Sequence, residues 1–321
     1  MCSSLQDTLK EVFIWNNNPI PLSRENFAQA QCPEELLKIH NSPQNLYFQA
    51  RFLACAQASA PYCFIQDDDY FIKPSIIRAM RARMEETNIM SLHLLPSHEM
   101  LFSQSSAIKV DSSIHTLFAW LGYGTMTSRS RAQEFIDLLV AVNATEDVFK
   151  MADNYFTILA NGLPELWFDQ NYELGGGTPF TVGVVGEERN NRHIVNAGVI
   201  LDSLALRLAP ESEVQFPYIS LQTSSSATET MTRAACKDMP CIMETNIEAI
   251  PNLLDSTVSS ASEIIAHTMR QFQALSTDST ERFLQCSPSF AVDVDPETSF
   301  CSASGELNLG KTEEISSFSS Y

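Results

Sequence analysis

Three carboxylates in a row, Asp67-Asp68-Asp69, follow through Gln66 on the apolar run Pro61-Tyr62-Cys63-Phe64-Ile65. Adjacent carboxylates repel, and at the end of a buried strand a hard cation relieves that repulsion most simply. Mg²⁺ and Mn²⁺ take carboxylate oxygens and commonly bridge to substrate phosphates. Alternate residues of an extended strand share a face, so Asp67 and Asp69 are expected on one side and Asp68 on the other. Ligands of open α/β sheets bind beyond the carboxyl ends of the strands, which is where this cluster falls. The same residues also fit a solvated acidic turn. Asp153, in Lys150-Met151-Ala152-Asp153-Asn154-Tyr155, lies in a mostly apolar helical stretch. It fits a helix cap, an ion-pair member at the edge of the core, or a catalytic group. Arg189, Arg192 and His193 form one of the few basic clusters of the chain. Arginine grips phosphate bidentately, and a solvated helix start fits these residues equally well. His93 and His98 match no zinc spacing. No Gly-rich phosphate loop, dinucleotide fingerprint or serine nucleophile elbow is present, so P-loop hydrolysis and Rossmann-type hydride transfer have no support.

The elements that must position these groups alternate. The pattern predicts a helix over Ser4–Lys10, a strand over Glu11–Trp15 and a turn at Asn16-Asn17-Asn18-Pro19. A strand over Leu36–His40, a helix over Leu46–Ala58 and the buried strand Pro61–Ile65 follow. Pro74–Glu86 reads as an amphipathic helix with proline at its start. Met90–Leu95 is the next strand. Ser130–Val142 is a helix, and a further helix begins near Asp147 and continues over Asn154–Ala160. Gly175 to Gly186 reads as a glycine-rich loop, and Ile194–Leu208 as a closing helix. Strands alternating with helices over residues 1–208 indicate an α/β layer fold with a mainly parallel sheet. A loop- and helix-containing extension over 209–286 and strand-and-turn material over 287–321 complete the chain.

The chain has 321 residues, 44% of them hydrophobic, enough for a sizeable core. No run approaches the roughly 20 apolar residues of a membrane-spanning helix. Twenty basic residues face 39 acidic ones, a net charge of −19, which repels phosphate backbones and argues against nucleic-acid binding. From Pro210 onward 16 acidic residues face 5 basic ones, a first sign of a boundary there. Eight scattered cysteines form no zinc pattern and are expected mostly as small buried apolar groups. Cys236 and Cys241 could close a short disulfide loop in an oxidising compartment. Asn143-Ala144-Thr145 is a glycosylation sequon and weak evidence for secretion. Met1–Lys10 has no signal-peptide pattern.

Four segments together resemble the exostosin-like glycosyltransferases: Lys10 to Asn17 (KEVFIWNN), Cys63 to Asp69 (CFIQDDD), Trp120 to Gly124 (WLGYG) and Met151-Ala152-Asp153. That family has the GT-A fold, with a strand ending in Trp-Asn-Asn and a later Asp-Asp-Asp motif of the DXD type. The resemblance spans roughly residues 5–208. Asn45 to Arg51 (NLYFQAR) is more similar to a fungal branch than to the animal heparan-sulfate enzymes. The resemblance implies a GT-A-like, mainly parallel sheet flanked by helices, lacking its first strand. It implies Mn²⁺-dependent (or Mg²⁺-dependent) transfer of a hexosyl or N-acetylhexosaminyl group, with retention. The donor would be a nucleotide-diphosphate sugar, a UDP-sugar by analogy, and the acceptor a glycan or glycoprotein. Asp67 and Asp69 would hold the metal, with Asp67 and Asp68 also contacting ribose or sugar. Asn16, Asn45 and Arg51 would line the nucleotide, and Asp153 would stand at the reaction centre. Arg189, Arg192 and His193 would meet the diphosphate. The family works in the secretory pathway. The alternative is a catalytically inactive GT-A-like module that binds a nucleotide or glycan.

Ser289 to Phe300 is similar to the opening of discoidin-like domains, with Val294 in place of a glycine. Residues 287–321 are too few for that domain and are expected to be poorly ordered, since a cut sheet leaves open edges. With half a module behind and no leader in front, the sequence reads as a piece of a longer protein.

Overall fold

The computed structural model describes residues 2, 4–30, 32–96, 99, 108–109, 114–168, 170–175, 184–207, 216–220, 232–235, 241–245, 260–274, 281, 285, 288–291, 295–299 and 319–320. The fold is mixed α/β, with parallel and antiparallel strands flanked by helices. Strands β1 (Val12–Asn16) and β2 (Leu37–Asn41) pair in parallel, Ile14 opposite Ile39. Helix α1 (Gln49–Ala56) leads to β3 (Tyr62–Ile65), and a turn carries the chain into β4 (Tyr70–Ile72) and α2 (Pro74–Glu86). Strand β5 (Ser91–Leu95) follows, then the short antiparallel pair β6 (Ile108–Lys109) and β7 (His115–Thr116), then β8 (Thr125–Ser128). Helices α3 (Arg129–Ala141), α4 (Glu146–Lys150) and α5 (Asp153–Leu159) come next, then strands β9 (Glu165–Phe168) and β10 (Asn171–Glu173). The long helix α6 (Val184–Arg207) precedes β11 (Thr232–Ala235), β12 (Cys241–Thr245), α7 (Ala261–Ala274) and β13 (Ser319–Ser320).

The central sheet has the order β3-β8-β5-β9. Strands β3, β5 and β9 run one way, and β8 lies reversed between β3 and β5. The sheet is therefore mixed, where the helix–strand alternation predicts a mainly parallel one. Alternation in sequence reports which elements exist; it does not report that β8 is fed by the long excursion from β5 through Gly124 and enters from the opposite end. The two helical layers follow from the side chains. Phe52 of α1, Phe135 of α3 and Phe156 of α5 meet within 4.7–5.3 Å on one face. Ile76, Ile77, Met80 and Met84 of α2 pack on Leu92, Leu94, Met126 and Trp167 on the other. Arg83 of α2 reaches the buried Glu165 of β9 through Nε at 3.1 Å from both carboxylate oxygens, and Trp167 Nε1 donates to the same carboxylate at 2.9 Å.

Several local expectations shift. Residues 4–9 make a turn, with Thr8 and Leu9 donating to Leu5 carbonyl, and no helix. The expected continuous helix from Asp147 to Ala160 is two helices, broken at Met151 and Ala152, so Asp153 opens α5. α6 starts at Val184, inside the expected glycine-rich loop, and carries Arg189, Arg192 and His193 in its body. Strands β4, β9 and β10 were not expected; each is three or four residues long, too short for a period to show. The core also continues past residue 208. Tyr218 packs its ring 5.2 Å from Phe135 and 5.7 Å from Phe156, and Ile264, Ile265 and Met269 of α7 join the same cluster. Asp202 of α6 caps α7, accepting from Ala261 N at 2.7 Å and Ser262 N at 3.0 Å. A side chain at Gly198 would meet Ser262 Cα at 2.9 Å, so glycine permits this close approach.

The cysteines correct the expectation of isolated apolar thiols. Cys2 pairs with Cys32 and Cys55 with Cys63. The second bond ties the last turn of α1 to the middle of β3, with Cα atoms 5.7 Å apart. Spacings of 30 and 8 residues match no sequence motif; packing alone brings the sulfurs together. Cys236 lies outside the described residues, as do residues 176–183 of the glycine-rich loop and most of 287–321, including Val292–Val294 of the discoidin-like segment. Among the described residues no helix is long and apolar enough to cross a membrane.

Candidate functional site

Strand β3 ends at Ile65, and Asp67-Asp68-Asp69 form the turn that leads into β4. The carboxylates therefore sit beyond the strand and not on it, so strand alternation does not set their directions. Tertiary bonds do. Asp67 N donates to Gly122 carbonyl at 2.8 Å, in the turn just before β8. A Cβ at Gly122 would collide with the Asp67 carboxylate, so the bare glycine of Trp120-Leu121-Gly122 makes room for it. Leu174 N, just past β10, donates to Asp69 carbonyl at 2.8 Å and pins the far side of the turn. Asp68 is exposed.

Arg51 is the hub. It projects from α1, its guanidinium 4.8 Å from the Phe48 ring, and forks between two carboxylates. Nη1 contacts Asp153 and Nη2 contacts Asp67. Asp153 is buried and Asp67 is half-exposed, so the fork spans from the core to the mouth of the site. One fixed positive charge thus serves Asp67 and Asp153, with Asp69 also within electrostatic reach. The carboxylates outnumber it. Burial pushes Asp153 up to about 7; Arg51 opposes that shift and Asp67 adds to it. Asp69 is also raised, by burial first and then by Asp67, Asp68 and Glu173. Asp153 Oδ1 and Asp69 Oδ1 are buried without a hydrogen-bond partner among the described residues, and so are both amide atoms of the fully buried Asn154. Excess negative charge with an unmatched oxygen on Asp69 is chemically compatible with a hard divalent cation. Among the described residues no group of three or more His, Cys, Asp or Glu side chains is clustered for metal binding.

The asparagines divide. Asn16 is buried and spent on its own turn and the end of β2: Nδ2 donates to Ile20 carbonyl at 2.9 Å and Asn41 Oδ1 at 2.8 Å, while Oδ1 accepts from Asn18 N. Asn17, which sequence reasoning passed over, reaches the next loop instead. Its Nδ2 donates to Tyr47 carbonyl at 3.3 Å and its Oδ1 accepts from Leu46 N at 3.1 Å. Asn45 is exposed and holds Tyr47 N in a local turn at 2.8 Å. Asn17, Asn45, Arg51 and Asp67 line one end of a cavity of about 600 Å³ between β1 and β3.

His193 is placed differently. It is buried, its Nδ1 2.7 Å from Tyr155 Oη and its Nε2 3.4 Å from Asp147 Oδ2. Tyr155 Oη also accepts from Asn196 Nδ2 at 2.9 Å. Burial holds the His193 pKa down, against the pull of Asp147. This histidine fastens α6 to α5. Arg192 is exposed and Arg189 half-buried on the same helix, and both help to hold the His193 pKa down. Three of the sequence-derived site residues, Arg51, Asp67 and Asp153, are brought into contact; Asp69 adjoins them.

Asn154 and Gly122 carried no signal by themselves. Gly122 was legible only as part of the aromatic Trp120-to-Gly124 segment, and Asn154 only as the neighbour of Asp153. His93, which matches no zinc spacing, is fully buried inside the sheet: Nδ1 lies 2.9 Å from Trp120 carbonyl and Nε2 2.8 Å from Ser91 Oγ, and burial lowers its pKa to about 4. No protein-family model matches the chain, and no curated protein matches it either.

Proposed function

We propose that the chain is a GT-A-like glycosyltransferase that moves a sugar from a nucleotide-diphosphate sugar, a UDP-sugar in the first instance, to a glycan or glycoprotein acceptor. The observation that carries this reading is the Asp67–Asp69 turn just beyond the carboxyl end of β3, with Asp153 drawn against it through Arg51. Asp69, with Asp67, would hold Mn²⁺ or Mg²⁺. When bound, that ion would neutralise the diphosphate as it departs. Arg51 orients both Asp67 and Asp153 and keeps the buried carboxylate directed at the mouth of the site. Asp153, with one oxygen bound to Arg51 and the other unmatched, is placed to accept a hydroxyl proton or to face a developing positive charge on the sugar. A retaining outcome is part of this reading. Asn17, Asn45 and Tyr47, which line the adjoining cavity, would contact the nucleoside on this reading.

A second reading is favoured by one fact: Arg51 already satisfies Asp67 and much of Asp153. On that reading the same pocket binds a nucleotide or glycan without turnover. Calorimetric titration with UDP, with and without Mn²⁺, tests the shared part. Binding that requires the metal and disappears in Asp69→Ala supports both readings; binding unchanged in Asp69→Ala overturns the metal assignment and with it the first reading. Release of sugar from a UDP-sugar, lost in Asp153→Asn, then selects the enzyme.

A further inference from the structure

The chain holds one Asn-X-Ser/Thr sequon, Asn143-Ala144-Thr145, with alanine and not proline at its centre. It forms the turn between α3 and α4. Both helix ends fix the backbone there. Asn143 has a φ of 52°, the left-handed region that asparagine adopts more readily than most residues. Its N donates to Val140 carbonyl at 3.0 Å and Ala144 N donates to Leu139 carbonyl at 2.9 Å, the paired bonds of a Schellman stop. Thr145 then caps α4, its Oγ1 accepting from Val148 N at 3.4 Å.

These backbone tasks do not use the Asn143 amide; glycine would serve the left-handed position as well. The side chain is exposed and makes no hydrogen bond among the described residues. Ala141, Thr145, Glu146 and Asp147 are exposed around it, so the turn has room for a bulky group. Val140, one turn back on α3, is 61% exposed, an apolar side chain that the C–H face of a sugar can cover.

The cysteines supply an independent observation. Cys2 is bonded to Cys32 and Cys55 to Cys63. Such bonds form and persist in oxidising compartments and are rare where glutathione keeps thiols reduced. The secretory lumen, where chains acquire disulfides, is also where exposed sequons are modified.

We propose that Asn143 is an N-glycan acceptor, and that the oligosaccharide stands on the α3–α4 turn. A separate transferase would supply it from a lipid-diphosphate carrier. A bond forms between Asn143 Nδ2 and the anomeric carbon, and the bond from that carbon to the diphosphate oxygen breaks. The diphosphate leaves with the electron pair, and one amide proton passes to a base of the transferase. Asn143 does not line the cavity beside the carboxylate turn, so this role is independent of any nucleotide bound there.

The experiment expresses the full chain behind a cleavable leader in a eukaryotic secretory host, followed by intact-mass and peptide mass spectrometry. A single glycan-sized mass increase is expected, mapping to Asn143. It should vanish in Asn143→Asp, which keeps a residue suited to the left-handed turn, and in Thr145→Ala. It should persist in Thr145→Ser, which keeps both sequon and cap. An amidase that cleaves N-glycans should release it from the native chain as completely as from the denatured one, because the turn is exposed. Titration with UDP is expected to give the same result for Asn143→Asp as for the wild type. Unreduced peptides of the same preparation should show Cys2 joined to Cys32 and Cys55 to Cys63. An unmodified Asn143 overturns the proposal and leaves Asn143 and Thr145 as helix caps only. A glycan that persists in Asn143→Asp, or one released only after unfolding, overturns it as well. So does finding either cysteine pair as free thiols, since nothing then ties the chain to that compartment.

Discussion

Arg51 decides the electrostatics of the candidate site, because it is the one guanidinium set between Asp67 and Asp153. Removing it leaves Asp153 buried and uncompensated. Arg51→Leu is expected to cost about 3–5 kcal/mol at a pH where Asp153 is charged, read by urea denaturation. Adding Asp153→Asn to that variant should recover part of the loss, because it removes the stranded charge. The titration of Asp153 has a definite sign. Burial raises its pKa from 3.8 to about 7, against the attraction of Arg51. The folded state then binds this proton more tightly than the unfolded chain does. Asp153 therefore favours folding most below 3.8, and that contribution is lost as pH rises from 3.8 to about 7. Unfolding free energies of wild type and Asp153→Asn across this window should show a downward slope with pH in the wild type that the variant lacks.

The elements that carry these groups are cross-braced. α1 bears Arg51, and one turn later Cys55 is bonded to Cys63 of β3, the strand that delivers Asp67. The bond therefore fixes the guanidinium relative to the carboxylate turn, as well as adding stability. Closing so short a loop stabilises by about 2–3 kcal/mol on the chain-entropy account. The double substitution Cys55→Ser, Cys63→Ser should lower the thermal midpoint, and reductant should lower the wild-type midpoint by more than it lowers that of the variant, where Cys2–Cys32 is the one disulfide left among the described residues. An unchanged midpoint in the double variant would show that α1 is held by Phe52 and its aromatic neighbours alone.

At the scale of the molecule, the first 208 residues do not close their own core. Tyr218 fills the space between Phe135 and Phe156, donates its hydroxyl to Phe156 carbonyl, and lies under Arg131, whose guanidinium is 4.5 Å from the ring. Ser220 N then donates to Ala160 carbonyl at 2.8 Å, and Asn161 Nδ2 to Ser220 carbonyl at 2.8 Å. Tyr218→Ala is expected to cost about 3–5 kcal/mol, in the range of large aromatic truncations, measured by denaturant midpoint. A loss below about 1 kcal/mol would mean that this segment rests on a core complete without it.

Some of this is local physics, and the sequence by itself determined it. The proline that opens α2, the Asn-rich stop after β1, the apolar runs of β1, β3 and β5 and the hydrophobic face of α3 each follow from dihedral preference and periodicity within a few residues. The position of Asp67-Asp68-Asp69 just after an apolar strand was legible for the same reason. What only the tertiary structure decided depends on neighbours distant in the chain. The reversal of β8, the pairing of Cys55 with Cys63, the claim of Arg51 on both Asp67 and Asp153, and the burial of Tyr218 leave no period or motif behind. Asn16 and Asn17 show the divide within two residues. The turn they form is written in their types, but which side chain closes that turn and which reaches across to Tyr47 is set by how β1 packs against the loop before α1, a contact spanning 30 residues of chain.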